Sequence, residues 1–453
     1  MKMIRTFLYS AVASAMLAGG SASAAVSQDE AAKLGDSLTP MGAIKAGNGN
    51  EIPAWDGGLV TPPANYKGDG RYVDPFPNDK ELFRIDQSNV DQYADKLTPG
   101  QVAMIKTYDS YFIPVYETRR TGAYPEVVQN KTKENATNVS LIESGNGLSN
   151  YQTAIPFPIP QNGLEAIFNH ITRYRGGSVT RNVAQVTPQP NGDFSAVKFT
   201  ESFTERVQLK DYDPSEDENV MFYFKQTITA PSRLAGNVLL VHETINQVKE
   251  PRRAWLYNSG QRRVRRAPSV AYDGPGTAAD GQRTSDNLDL YNGAPDKYNW
   301  ELKGRKELYI PYNSYRMASE NLKYKDIIKP GHVNQELARY ELHRVWHVTA
   351  TLKDGERHVY KKRDFYIDED TWQIAVVDHY DGRDNLWRVA EAHAMQVYDA
   401  RIPAYAFETL YDLLSGRYLV MGMTNEESDP YSYGVERSSR EYTPAALRRA
   451  GVR

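Results

Sequence analysis

Leu342-His343-Arg344-Val345-Trp346-His347-Val348, followed by the polar break Lys353-Asp354-Gly355-Glu356, decides the reading of this chain. Leu342, Trp346 and Val348 share one face of an extended segment, with Arg344 as the polar exception. The break predicts a tight hairpin turn, and residues 357–368 return antiparallel to residues 340–352. Asp368-Glu369-Asp370-Thr371 then turns the chain into residues 372–379, and Asp381-Gly382-Arg383-Asp384 leads into Trp387 and another strand. Consecutive strands joined by short polar turns, without long helical crossovers, form an antiparallel meander and argue against a doubly wound α/β fold.

Working outward, the same grammar recurs upstream. Ala196-Val197-Lys198-Phe199-Thr200, residues 221–228 and residues 237–245 are β-rich runs separated by turn formers. Residues 251–257 read as the outgoing strand of a further hairpin, Asn258-Ser259-Gly260-Gln261 as its turn, and residues 262–267 as its return. Helices are fewer. Short ones are expected at residues 89–96 and from Pro99, where proline suits a first turn. Leu164, Ile167, Phe168 and Ile171 mark a helix over residues 163–174, closed by Gly176-Gly177. Residues 404–414 and 444–450 predict two more. The expected fold is mainly β with α: a large curved antiparallel sheet, a half-barrel covered by helices, with an apolar cavity between the layers.

The first residues carry an export pattern. Lys2 and Arg5 precede an apolar run over residues 6–17, and Ala22-Ser23-Ala24 supplies a cleavage site, so residues 1–24 read as a signal peptide and the mature chain as periplasmic. The apolar run is shorter than the roughly 20 residues that span a bilayer, and no second one follows. The chain has no cysteine, which excludes a disulfide scaffold and a cysteine-linked lipid anchor. Loss of Lys2 and Arg5 takes the formal charge from -3 to -5, which argues against nucleic acid as a partner. Residues 25–85 are rich in proline and glycine and read as an extended arm laid over the body, with Trp55 as its anchor. Residues 86–453 form the β-rich body.

Chemistry is hard to find in this sequence. His343 and His347 lie four apart, but Arg344 stands where a helical zinc motif needs glutamate. On a strand the two rings would stand about 13 Å apart at ~3.3 Å per residue, too far for one ion. Asp378 and His379 point to opposite faces of a strand and make no relay. No G-x-S-x-G elbow, phosphate loop, dinucleotide fingerprint or calcium loop occurs. No catalytic residue, metal or cofactor is therefore assigned. The most unusual local feature is basic: Arg252, Arg253, Arg262, Arg263, Arg265 and Arg266 fall within fifteen residues of an acidic chain.

Leu38-Thr39-Pro40-Met41-Gly42-Ala43, Ala46-Gly47-Asn48 and Ile52-Pro53-Ala54-Trp55-Asp56-Gly57-Gly58 resemble the opening of a proteobacterial periplasmic family, domain of unknown function 1329. Leu97-Thr98-Pro99-Gly100-Gln101 and Val115-Tyr116-Glu117-Thr118-Arg119-Arg120 extend the resemblance over nearly the whole mature chain. Residues 251–268, and Phe365-Tyr366-Ile367-Asp368 with Trp372-Gln373-Ile374, resemble units of the outer-membrane lipoprotein-sorting superfamily (LolA/LolB-like). That second likeness implies a half-barrel with a cavity for acyl chains, here doubled or extended. Members of the 1329 family are often encoded beside an efflux-type transporter and an outer-membrane protein, which implies a role in transport or envelope assembly.

The expectation is a non-enzymatic periplasmic carrier or chaperone for a hydrophobic or acylated molecule, serving an inner-membrane transporter or an outer-membrane protein. The alternatives are an envelope adaptor and a hydrolase acting on a hydrophobic substrate. Arg263 and Arg265, stacked near Trp255 and Tyr257 at the cavity wall, are the expected ligand-binding residues, together with Trp346.

Overall fold

A computed structural model describes residues 25–216, 219–267 and 272–450, so the signal segment 1–24 lies outside the described residues. The chain opens with α1 (Gln28–Ala31), β1 (Phe83–Ile85), α2 (Pro99–Thr107), β2 (Ile113–Val115) and α3 (Glu126–Asn138). A small hairpin, β3 (Ser140–Ile142) and β4 (Gly147–Ser149), precedes α4 (Gly163–Thr172). A first meander follows: β5 (Ser178–Val186), β6 (Ala196–Glu205), β7 (Val220–Ala230), β8 (Val238–Thr244), β9 (Arg253–Asn258) and β10 (Arg263–Arg266). Then come β11 (Tyr298–Pro311) and α5 (Tyr324–Ile327). The second meander is β12 (Tyr340–Leu352), β13 (Lys362–Asp368), β14 (Ile374–Tyr380), β15 (Leu386–Val397), β16 (Ile402–Asp412) and β17 (Tyr418–Met423). β18 (Tyr431–Tyr433) and α6 (Pro444–Ala450) end the described chain.

Each meander pairs in chain order, and β17 pairs with β5, so the two fuse into one sheet of sixteen strands. β11 and β2 join it at β12, and β18 joins at β5. The sheet does not close on itself, and the fold is mainly β: a large, chiefly antiparallel open sheet covered by helices, with an extended N-terminal arm.

The second meander is buried on both faces. Tyr340, Val345, Val376, Val389 and Val420 pack on one side with Met104 and Ile105 of α2. Val348, Phe365, Ile374, Val377 and Leu419 pack on the other with Ala166, Ile167 and Ile171 of α4. Double burial removes the alternation that marks a half-exposed strand. It explains why residues 404–414, expected to be helical, form most of β16 instead. Residues assigned to one face are divided: Leu342 packs in the first layer, Trp346 and Val348 in the second.

The pairing of β12 with β13 follows the expected register, Val345 facing Asp368 and Thr351 facing Lys362. The connection is longer than the tight turn expected, because the return strand starts only at Lys362. Residues 89–96 form two 3-10 turns, Val90–Gln92 and Ala94–Lys96, rather than a helix. The helices at Pro99, Gly163 and Pro444 form where the sequence predicts them.

The arm lies on the body through polar anchors. Arg120 donates to the carbonyls of Ile44, Lys45 and Pro53 while its Nε and Nη2 clasp both oxygens of Asp370 at 2.9 and 2.7 Å. Trp372 Nε1 donates to Met41 O at 2.8 Å, and Trp55 Nε1 to Gly122 O at 3.0 Å. An irregular segment cannot satisfy its own backbone, so these side chains do it.

Candidate functional site

The first meander differs from the second in leaving a hollow over one face. Tyr223, Leu240 and Tyr257 pack against Tyr442 and Leu447 of the C-terminal segment on one side. On the other side an apolar row crosses five strands. Val179 faces Phe203, Phe203 faces Phe224, Phe224 faces Val241, and Val241 faces Ala254. Alternation within each strand and antiparallel register together build such a row. The neighbouring row is polar at its start: Arg181 faces Glu201, and Glu201 faces Gln226. Arg181 Nε donates to Glu201 at 2.5 Å and Gln226 Nε2 donates to Glu201 at 2.6 Å.

Two chambers open above this floor and share Phe222, Phe224 and Leu288. The larger one holds about 850 Å³ of empty space, solvent at its mouth included, and adds Arg173, Arg175, Tyr405, Tyr431 and Tyr433 to its walls. The smaller one holds about 550 Å³ on the same measure and adds Leu239, Val241, Glu243, Arg252 and Arg283. An apolar floor with a few convergent polar groups is the composition of a ligand site.

A roof segment, residues 272–297, divides the chambers at Leu288 and is pinned by charge. Asp289 takes Arg173 Nη2 at 2.5 Å and Arg175 Nη2 at 2.5 Å. Burial alone would raise the Asp289 carboxyl, but the two guanidinium groups outweigh it and hold it well below the usual range. Glu408 accepts the Leu290 N–H at 3.1 Å; burial, then repulsion from Asp289, pushes it up to about 7. Glu243 pairs with Arg252 at 2.8 Å and accepts from Asn292 at 3.0 Å.

The residues expected to bind ligand lie elsewhere. Arg263 and Arg265 are exposed on β10, the last strand of the sheet. They face Asn258 and Leu256, whereas Val264 and Arg266 face Tyr257 and Trp255. The register therefore places Arg263 and Arg265 on the opposite face from the two aromatic rings they were expected to stack upon. Trp255 packs its ring 4.8 Å from that of His242, and Tyr257 is buried beneath α6. Trp346 belongs to the core, stacked on Trp372 and covered by the Arg305 guanidinium at 3.9 Å. None of the five lines either chamber. The chambers' arginines come from other places: Arg173 and Arg175 just past α4, Arg181 within β5, Arg283 in the roof. Only Arg252 belonged to the basic cluster visible in sequence. The Phe222/Phe224 alternation in the 221–228 run was the one available signal for the floor.

His343 and His347 lie on a strand, as expected, and serve different acids: Glu341 at 3.1 Å and Asp364 at 3.0 Å. His343 does approach Asp368 and Asp370, with one potential ligand atom of each within 4.8 Å of the others. Those atoms are committed. Arg120 holds both oxygens of Asp370, Tyr312 and Thr371 hydroxyls donate to Asp368 Oδ2, and His343 Nε2 faces Glu341. This cluster is an ion-pair network that locks the arm to the sheet.

Comparison with known proteins agrees with the resemblance to the 1329 family. Uncharacterized protein PA3922 of Pseudomonas aeruginosa is 64% identical over 455 residues, covering 100% of both chains. Among solved structures, a putative outer membrane lipoprotein-sorting protein domain from Vibrio parahaemolyticus matches at 13% identity and TM-score 0.41, covering 60% of this chain and 92% of that one. A DUF1329 family protein from Desulfovibrio piger matches at 15% identity and TM-score 0.39, with coverage of 60% and 92%. The LolA superfamily protein NE2245 from Nitrosomonas europaea matches at 12% identity and TM-score 0.37, covering 63% and 98%. Residues 84–448 match the family described as protein of unknown function (DUF1329), and the chain belongs to that family.

Proposed function

We propose that this protein is a periplasmic carrier or chaperone that holds a hydrophobic or acylated ligand in the groove across β5–β9 and serves a transporter or an outer-membrane pathway. The observation that carries this reading is the apolar row from Val179 to Ala254 beneath two connected chambers. Phenylalanine side chains line the hollow, and an apolar guest would bury the apolar surface they still present to it. Arginines at the walls suit a ligand with an oxygen-rich end. The export pattern in residues 1–24 supports the compartment.

Native mass spectrometry of the mature protein, purified without detergent, tests the reading. A bound mass of several hundred daltons that disappears after solvent extraction supports it. A ligand-free spectrum, together with failure to bind the neutral apolar probe N-phenyl-1-naphthylamine, refutes it. A second reading, an envelope adaptor, is favoured by one feature: Arg262, Arg263, Arg265 and Arg266 are exposed at the open end of the sheet, where a partner strand could add.

A further inference from the structure

Seven arginines are buried among the described residues, and six of them pair with a carboxylate: Arg120 with Asp370, Arg173 with Asp289, Arg339 with Glu341, Arg344 with Glu369, Arg363 with Asp286 and Arg388 with Asp412. Arg283 is the exception. It is 7% exposed; among the described residues its Nη1 donates to Thr284 O at 3.2 Å and its Nε has no partner. A buried, unpaired guanidinium is costly, and folds keep such groups where something else repays the cost.

Its surroundings say what that something is. Arg283 lines the smaller chamber beside Phe224, Gln226 and Leu239. The carboxylates around it are engaged elsewhere: Glu243 pairs with Arg252, Glu201 with Arg181 and Asp286 with Arg363, while Glu408 accepts the Leu290 N–H and is pushed up to about 7 by burial. The backbone makes room for the guanidinium. Gly276 N donates to Arg283 O at 3.1 Å, and a Cβ on Gly276 would fall 2.5 Å from Arg283 Cζ, so the group lies directly on a glycine. Burial pushes the Arg283 pKa down from its ordinary value, outweighing the attraction of Glu408, Glu201 and Asp286, none of which forms an ion pair with it.

We propose that Arg283 receives the anionic headgroup, carboxylate or phosphate, of a single-chain amphiphile whose apolar chain runs over Phe222, Phe224 and Leu288 into the larger chamber. The proposal rests on the carrier reading above and adds the polarity of the ligand: the anion goes to the smaller chamber, the chain to the larger. The planar fork of arginine offers two parallel donors to either anion.

The test is displacement of N-phenyl-1-naphthylamine from the full mature protein by dodecanoate, dodecyl phosphate and dodecanol. One or both anions should displace the probe at concentrations at least about tenfold lower than dodecanol, the scale of one charge-assisted hydrogen-bonded contact. Which anion does so identifies the headgroup. Arg283→Met should erase the preference and leave the dodecanol curve in place. Gly276→Ala, which keeps the arginine but displaces it, should weaken the preference as well. Without ligand, Arg283→Met should melt no lower than the wild type, and about 1–3 °C higher if the unpaired charge is costly. Equal displacement by all three compounds in the wild type, persistence of the preference in Arg283→Met, or a melting point lowered by several degrees in that variant would each overturn the proposal. Absence of probe and dodecanol binding would instead bring down the carrier reading, and the headgroup site with it.

Discussion

The Asp378 carboxylate on β14 accepts the backbone N–H of Gly100 at 3.1 Å, closing the first turn of α2 from across the core. Its other oxygen takes the Thr98 hydroxyl at 3.1 Å, while Thr98 and Gln101 form a capping box of their own. The fit depends on glycine, because a Cβ at position 100 would lie 2.1 Å from Asp378 Oδ1 and 2.8 Å from Val389 Cγ1. Gly100→Ala should therefore destabilise the protein by about 1–3 kcal/mol through overpacking, although alanine favours helices. Equilibrium urea unfolding measures this, and an unchanged midpoint would show that the cap tolerates displacement.

Glu391 is buried among three donors, the hydroxyls of Tyr111 and Tyr340 and the Gln101 amide, at 3.0–3.3 Å. Burial still pushes its pKa up to about 7 from an ordinary 4.5, the three donors only moderating the rise. An acid raised on folding binds its proton more tightly in the folded state, so its contribution is present at low pH and declines as pH rises from 4.5 through 7. Glu391→Gln should thus gain stability relative to the wild type by about 1–3 kcal/mol between pH 5 and pH 8. The difference between the two proteins isolates this group from the buried histidines. A difference that stays flat over that range would show that Glu391 is already ionised at pH 5.

Arg120 joins the arm to the sheet by its pairing with Asp370 and three arm carbonyls. Arg120→Ala leaves a buried carboxylate unpaired and should cost about 3–5 kcal/mol. Hydrogen exchange should become fast in residues 44–54 before it does in β12–β17. Retained protection there would mean that Trp55 and the Trp372–Met41 hydrogen bond hold the arm without Arg120.

Phe224 sits at the centre of the apolar row and lines both chambers. Phe224→Gln should weaken binding of a neutral apolar probe about tenfold, since it sets an amide in the apolar floor, where a polar group covered without a partner costs about 1–3 kcal/mol. The same titration on Arg263→Gln/Arg265→Gln should superimpose on the wild type, because those side chains are exposed one strand beyond the floor. An inverted result would return the site to the basic hairpin.

Sequence alone marked neither β5 nor β17, but it marked β6 to β10 and β12 to β15 in order, with the β9–β10 and β12–β13 hairpins, the starts of the helices at Pro99 and Gly163, and the family resemblance. These are local or nearly local properties: alternation, turn chemistry, caps and motifs act within a few residues and survive being read in one dimension. It misled where a strand is covered on both sides, as in β16, because the pattern that separates strand from helix needs one wet face. The groove across β5–β9 was decided only by the tertiary structure. Phe203, Phe224 and Val241 become a floor through register between strands, and Arg173, Asp289 and Arg283 meet there from segments more than a hundred residues apart. The six arginines so visible in sequence gave no such guide, since a cluster along the chain records proximity in one strand pair. Whether a guanidinium is paired, exposed or buried alone depends on which distant carboxylate the fold brings to it.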